Sequence, residues 1–217
     1  MTHKNNILLL VGLLAIYIAL KYIPYGDTIL YPINLIVTFL HEFGHSFFAV
    51  ITGWRVISIE INANGSGLAT TAGGIYSIIL MGGYIGSAIF GNILLYTSIR
   101  WSDELSKNII YLLWWLMIGC AIFFYSDLIS LILLLLIWAS LIYLAKRFTY
   151  NKIFLWFLWL ASLVHIIFDF RIGPSSDLAK FSQIFIIIPE FVFMYLWLFI
   201  VIWLVFYNLR MIFRKDI

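Results

Sequence analysis

Charge is what this chain has least of. Only 11% of its 217 residues are charged, and its 13 basic and 10 acidic side chains avoid long runs. That excludes an ordinary soluble globular domain. The net charge of +3 is small, and the basic residues collect between apolar segments and near the C-terminus. We read this as membrane topology, with no nucleic acid as partner. Cysteine is nearly absent. Cys120 stands alone in an apolar run, which excludes an internal disulfide framework and thiolate ligation of zinc. There is no repeat, low-complexity tract or linker, so one membrane domain over 1–217 is expected. The N-terminal apolar stretch from Ile7 has no small-residue cleavage site after it, which favours an uncleaved first span over a signal peptide.

What fills the chain is apolar surface, with 64% hydrophobic residues and a mean hydropathy of +1.05. Apolar segments fall near 7–23, 29–52, 75–99, 109–124, 128–145, 153–170 and 184–209. Several are short or closely spaced, so six or seven transmembrane helices are expected. Aromatic residues gather near their ends, including Tyr22, Tyr25, Tyr31, Trp101, Tyr143, Tyr150 and Tyr207, as interfacial anchors do. With seven spans, Lys4, Arg55, Arg171 and Lys180 lie on one face. Lys21, Arg100, Lys107, Lys146, Arg147, Lys152, Arg210, Arg214 and Lys215 lie on the other, so nine against four favours a cytoplasmic C-terminus.

The stretch 54–72 breaks the pattern. Val56 to Ile61 alternates, with Ile57, Ile59 and Ile61 on one face of a half-buried strand. Asn62 to Gly67 is turn chemistry, and Leu68 to Thr71 can return as a second strand. The expected fold is thus an all-α polytopic membrane protein with one short β-hairpin. The 56–61 strand is either an ordinary loop element or an edge that captures an extended peptide by backbone pairing.

Just before the hairpin, inside an apolar segment, stands His41-Glu42-Phe43-Gly44-His45. This HExxH pattern sets two imidazoles at i and i+4 on one helical face, as two ligands of a tetrahedral zinc, beside a carboxylate suited to general-base work. With four His in the chain, it should arise by chance in about one of a thousand such chains. Ionisable groups in a membrane segment are costly and point to function. Asn34, Thr38, His41, His45 and Thr52 share a stripe of about 60° that must face the bundle interior, and Gly44 lies on a separate face open to close helix approach.

A zinc hydrolase wants a third protein ligand. His165 and Asp169, themselves i and i+4 on a late span, and Asp177 are all candidates, with Asp127 behind them. Asp177 also suits a helix N-cap after Gly-Pro-Ser-Ser. Four spans separate the hairpin from the 171–183 loop, which places both on one face. The glycines of 82–91 read as close helix packing, and Asn92 as a bond to a neighbouring helix.

The chain resembles the site-2 protease family of intramembrane zinc metallopeptidases, in a compact branch without a PDZ insertion. The resemblance rests on His41–His45, Thr52-Gly53-Trp54-Arg55-Val56, Gly65-Ser66-Gly67-Leu68-Ala69-Thr70, the glycine-rich 82–91, and Ser176-Asp177 leading to Pro189 and Trp197. It covers about residues 35–200. It implies one Zn2+ per chain on His41, His45 and Asp177, with Asp169 as the rival third ligand and Glu42 as catalytic base. The Asn-Pro-x-Asp-Gly and Leu-Asp-Gly motifs that supply the third ligand in better-known members are absent. The expected function is hydrolysis of peptide bonds in membrane-spanning or membrane-associated proteins, by a multi-pass protein of a lipid bilayer, the plasma membrane of a prokaryote. One alternative is a catalytically silent scaffold or chaperone of the same fold. Another is a different metal enzyme that also uses His165 and Asp169; four His are too few for its di-iron form.

Overall fold

The computed structural model describes residues 3–147, 151–169, 176–185 and 187–213. In chain order these form α1 (His3–Tyr22), α2 (Gly26–Ile51), β1 (Arg55–Ile61), β2 (Gly67–Ala72), α3 (Tyr76–Arg100), α4 (Asp103–Phe123), α5 (Leu128–Arg147), α6 (Asn151–Asp169), α7 (Asp177–Ile184) and α8 (Glu190–Phe213). Six helices (α2, α3, α4, α5, α6 and α8) are long and apolar enough to cross a membrane, and α1 holds a shorter apolar stretch, Asn6–Tyr22. Seven apolar segments are therefore recovered as helices. The last is shifted from its expected 184–209, because Ile184 ends α7 and α8 begins only after Pro189 and runs to Phe213. Tyr150, Arg171, residues 173–175, Arg214 and Lys215 lie outside the described residues.

Helix α3 is the hub, packing on α2, α6, α7, α8 and α4, while α4 and α5 pair with each other and α1 lies on α2 and α6. The α2–α3 approach is set by glycine. A Cβ on Gly44 would collide with the Gly82 carbonyl, one on Gly82 would lie 2.9 Å from the Gly44 carbonyl, and one on Gly86 3.1 Å from the Gly44 Cα. Small residues here let backbone meet backbone, as Gly44 and the 82–91 run predict. Asn92 also behaves as expected. Its Oδ1 accepts from Trp159 Nε1 at 3.4 Å and from Asn208 Nδ2 at 2.9 Å, which ties α3 to α6 and α8.

The hairpin forms where the turn residues lie. Gly65, at φ 87°, donates its N–H to the Asn62 carbonyl at 2.9 Å, and Asn64 Oδ1 accepts from the Ser66 amide at 3.0 Å. The strands pair antiparallel, Ile59 opposite Ala69 and Ile61 opposite Gly67. One detail departs from simple alternation. Ile59 and Ile61 are buried, but Ile57 is 52% exposed. An irregularity between Val56 and Ser58 adds a residue to β1 and turns Ile57 off the inner face.

Gly44→Ala should lower thermal stability in detergent by roughly 1–3 kcal/mol through overpacking against the α3 backbone. Gly12→Ala, with nothing within 4 Å of the added carbon, should hold or raise stability, since alanine is the better helix former. Equal melting temperatures for the two variants would contradict the packing described.

Candidate metal centre

His41 and His45 lie one turn apart on α2, each 7% exposed, with their Nε2 atoms 3.1 Å apart. The Nδ1 of His45 donates to the Ile79 carbonyl of α3 at 2.6 Å. A carbonyl only accepts, so this bond puts the proton on Nδ1 and turns the lone pair of Nε2 inward, as outer partners of metal-binding histidines do. His41 packs its ring edge-on to Tyr84, centroids 4.8 Å apart, and its buried Nδ1 has no hydrogen-bond partner among the described residues.

Asp177 reaches this pair from the far end of the chain, 136 and 132 residues away from His41 and His45. Its Oδ2 lies 3.3 Å from His41 Nε2 and 3.1 Å from His45 Nε2. It is not the helix cap that its sequence context also allows. Ser176 takes that position, its hydroxyl accepting from the Ala179 amide at 3.0 Å. Asp177 is therefore the first helical residue, with its carboxylate free to face α2. The other oxygen, Oδ1, lies 3.9 Å from Lys180 Nζ. Leu178 and Phe181 anchor α7, Phe181 packing 5.1 Å from Trp197 and 4.8 Å from Phe193 between ring centroids.

His41, His45 and Asp177 are the group among the described residues that could hold a metal ion. Their ligand atoms form a triangle of 3.1, 3.1 and 3.3 Å, close to the roughly 3.3 Å edge of a tetrahedron with bonds of 2.0–2.1 Å. Three electron-rich atoms this close need positive charge among them, and a divalent cation meets all three at once. The opposite wall leaves room for it. A Cβ on Gly83 would collide with His41 Nε2 and fall 2.5 Å from His45 Nε2. Gly83 thus shapes the hollow, a role distinct from the helix packing that serves Gly82 and Gly86. The donor set and the hollow fit a small tetrahedral cation.

The same three residues line a cavity of about 800 Å³ together with Glu42, Thr38, the hairpin from Gly65 to Thr71, Leu80, Tyr84, His165 and Lys180. Glu42 is 6% exposed, and β2 presses on it so closely that a Cβ on Gly67 would meet its Cγ at 2.5 Å and Oε1 at 2.6 Å. The outer edges of the two strands differ. On β1, the amides of Ile59 and Ile61 turn away from β2 and are taken by the Phe124 carbonyl at 2.7 Å and Ser130 Oγ at 2.8 Å. Their partners Ala69 and Gly67 therefore turn their own backbone groups outward from β2, on the edge that lines the cavity. The strand whose outer edge lines the cavity is therefore 67–72, where the Ala69 amide donates to Glu42, and not the 56–61 strand that the sequence left open as loop element or edge.

The other candidates fare differently. His165 lines the cavity but is outside the converging three. Asp127 caps the start of α5, accepting from the Ser130 amide at 2.9 Å. Asp169 ends α6, and its side chain, like that of His3, lies outside the described residues. Sequence reading missed Gly83, Gly67 and Lys180. The Gly82-Gly83 doublet was visible, but nothing in it separates the packing glycine from the one facing the imidazoles.

Gly83→Ala should cut metal affinity by roughly 10- to 100-fold with every ligand intact, the range seen when groups around a metal site are altered. Gly91→Ala, whose added carbon would meet its nearest neighbour at 3.4 Å, should bind normally. Metal analysis after chelator competition reads both.

No curated protein and no solved structure matches this chain. A protein-family model described as Peptidase M50B-like matches residues 9–208, nearly the whole length and all the elements that build the cavity. With six helices able to cross a membrane, the chain is a multi-pass membrane protein and belongs to the Peptidase M50B-like family of site-2 proteases.

Proposed function

We propose that this protein is a zinc endopeptidase acting on membrane-spanning or membrane-associated proteins. The observation that carries the reading is the meeting of His41, His45 and Asp177 in one cavity with Glu42, inside a bundle of membrane-length helices. His41, His45 and Asp177 would hold a zinc ion, which when bound supplies Lewis acidity and lowers the pKa of its water towards about 7. Glu42 is the group that moves protons. Its carboxylate takes one from the attacking water and returns it to the departing amine nitrogen.

The substrate must be presented in extended form. A helix hides its carbonyls in internal hydrogen bonds, so a cleavable segment first unwinds and then needs partners for its freed backbone. The outward Gly67 amide and the outward carbonyls of Gly67 and Ala69 on β2 supply them along the cavity, beside Glu42, to which the Ala69 amide itself donates. The cavity is walled by α2, α3, α6, α7 and the hairpin. We place the protein in the plasma membrane of a prokaryote, with its C-terminus cytoplasmic.

Glu42→Gln should keep its zinc and lose cleavage by about 10²- to 10⁴-fold, the usual contribution of a general base. The assay uses purified protein in proteoliposomes with a synthetic spanning peptide, and undiminished cleavage by the variant would overturn the mechanism. In parallel, His41→Ala and Asp177→Ala should each lose zinc while Asp169→Ala retains it. Zinc retained in Asp177→Ala and lost in Asp169→Ala would move the third ligand to α6.

A further inference from the structure

The hairpin is tied to the motif helix by two hydroxyls. Thr38 Oγ1 donates to the Gly65 carbonyl at 2.9 Å, and Tyr31 OH donates to the Ala63 carbonyl at 2.8 Å. Thr38 is 4% exposed and precedes Glu42 by one turn, so the two share a face of α2. Above them the hairpin repeats the spacing. Gly65 sits over Thr38 through the hydrogen bond, and Gly67 sits over Glu42 through direct contact. Four helical residues rise about 6 Å, within the roughly 7 Å that two chain residues leaving the turn can span, so the two contacts match.

From this match we infer that Thr38 is a positioning residue that fixes the register of β2 over Glu42, with Tyr31 as a second tie at the hairpin tip. Gly65 can turn here because its φ is 87°, and Gly67 can lie flat on Glu42 because it has no side chain. The cavity edge of β2 then stands at a set height beside the catalytic carboxylate, which also accepts from the Ala69 amide. Without the Thr38 bond the edge keeps its partner strand but loses its place along α2. The consequence for a peptide paired to that edge is weaker productive binding, with the chemistry itself intact. The kinetic part of this inference rests on the proteolytic reading, and the structural part does not.

Thr38→Val keeps the shape and removes the donor. Two readouts apply to the zinc-loaded protein in proteoliposomes: amide hydrogen exchange over residues 62–68, and cleavage of a synthetic leucine-alanine spanning peptide broken by a central Gly-Asn-Gly. The loss of one hydrogen bond should speed exchange about fivefold and raise KM about fivefold, with kcat and zinc content unchanged. Thr38→Ser should restore both, and Tyr31→Phe should shift both in the same direction, which keeps the test intact should Thr38→Val fail to fold. Unchanged exchange in both Thr38→Val and Tyr31→Phe would overturn the tie. Loss of zinc in Thr38→Val, or a fall in kcat at constant KM, would overturn the positioning role. If wild-type protein leaves the peptide uncut, the proteolytic reading fails, and the exchange data alone decide whether Thr38 sets the hairpin.

Discussion

Helices α2 and α3 approach until backbone touches backbone, and each part of the candidate centre depends on that approach. Gly44 admits the Gly82 carbonyl, and Gly86 comes up against Gly44 itself. Once the two axes are this close, the same face of α3 brings the Ile79 carbonyl to His45 Nδ1 at 2.6 Å and sets bare Gly83 against both Nε2 atoms. Positions 79, 82, 83 and 86 follow the spacing of one helical face. A single stripe on α3 therefore packs the helices, orients an imidazole and hollows out the space in front of it. A side chain at Gly82 or Gly86 would separate the helices, and the orienting bond to His45 would lengthen with them.

The hairpin answers to a different constraint. Unpaired backbone is expensive in a protein surrounded by hydrocarbon, and it persists only where it is buried in protein or lines a cavity. Here several outward groups of the hairpin have partners on the helices. The outer amides of β1 are met by Phe124 at the end of α4 and Ser130 in the first turn of α5, and the tip carbonyls by Tyr31 and Thr38. The outer edge of β2 lines the cavity holding Glu42, and its Ala69 amide donates to the Glu42 carboxylate. The hairpin is thus held to the catalytic-motif helix from both strands' surroundings, and β2 is the strand that touches Glu42 directly.

Much of this was legible in the sequence, because it is local. The HExxH spacing fixes two imidazoles on one helical face, the apolar runs mark the helices, and Asn62 to Gly67 marks the turn. Span parity placed Asp177 on the face of the hairpin, and the family resemblance preferred it to Asp169 as partner of the histidines. Illegible features depend on distances between elements remote in sequence. Ile57 faces outward because one residue is added to β1 relative to β2, and alternation alone cannot reveal a slip in pairing. That β2 and not β1 offers its edge follows from Phe124 and Ser130, more than sixty positions downstream of the amides they meet. Gly82 and Gly83 are neighbours of one type, and only the geometry of α2 against α3 gives them separate tasks.

The two halves of the centre are held by unlike forces. The histidines sit in the middle of a 26-residue helix, fixed by backbone bonds and the α3 contact. Asp177 sits at the start of an eight-residue helix, well below the length at which a helix is stable alone in water. Helix α7 therefore owes its place to tertiary packing, chiefly Leu178 and Phe181 in the cluster with Tyr84, Phe193 and Trp197. Tyr84 belongs to both halves, since its ring meets Trp197 on one side at 5.6 Å and the edge of His41 on the other at 4.8 Å. The aromatic cluster is thus the mechanical link between the motif helix and the carboxylate that completes the site. Loosening it would move Asp177 away from the histidines without touching any of the three residues.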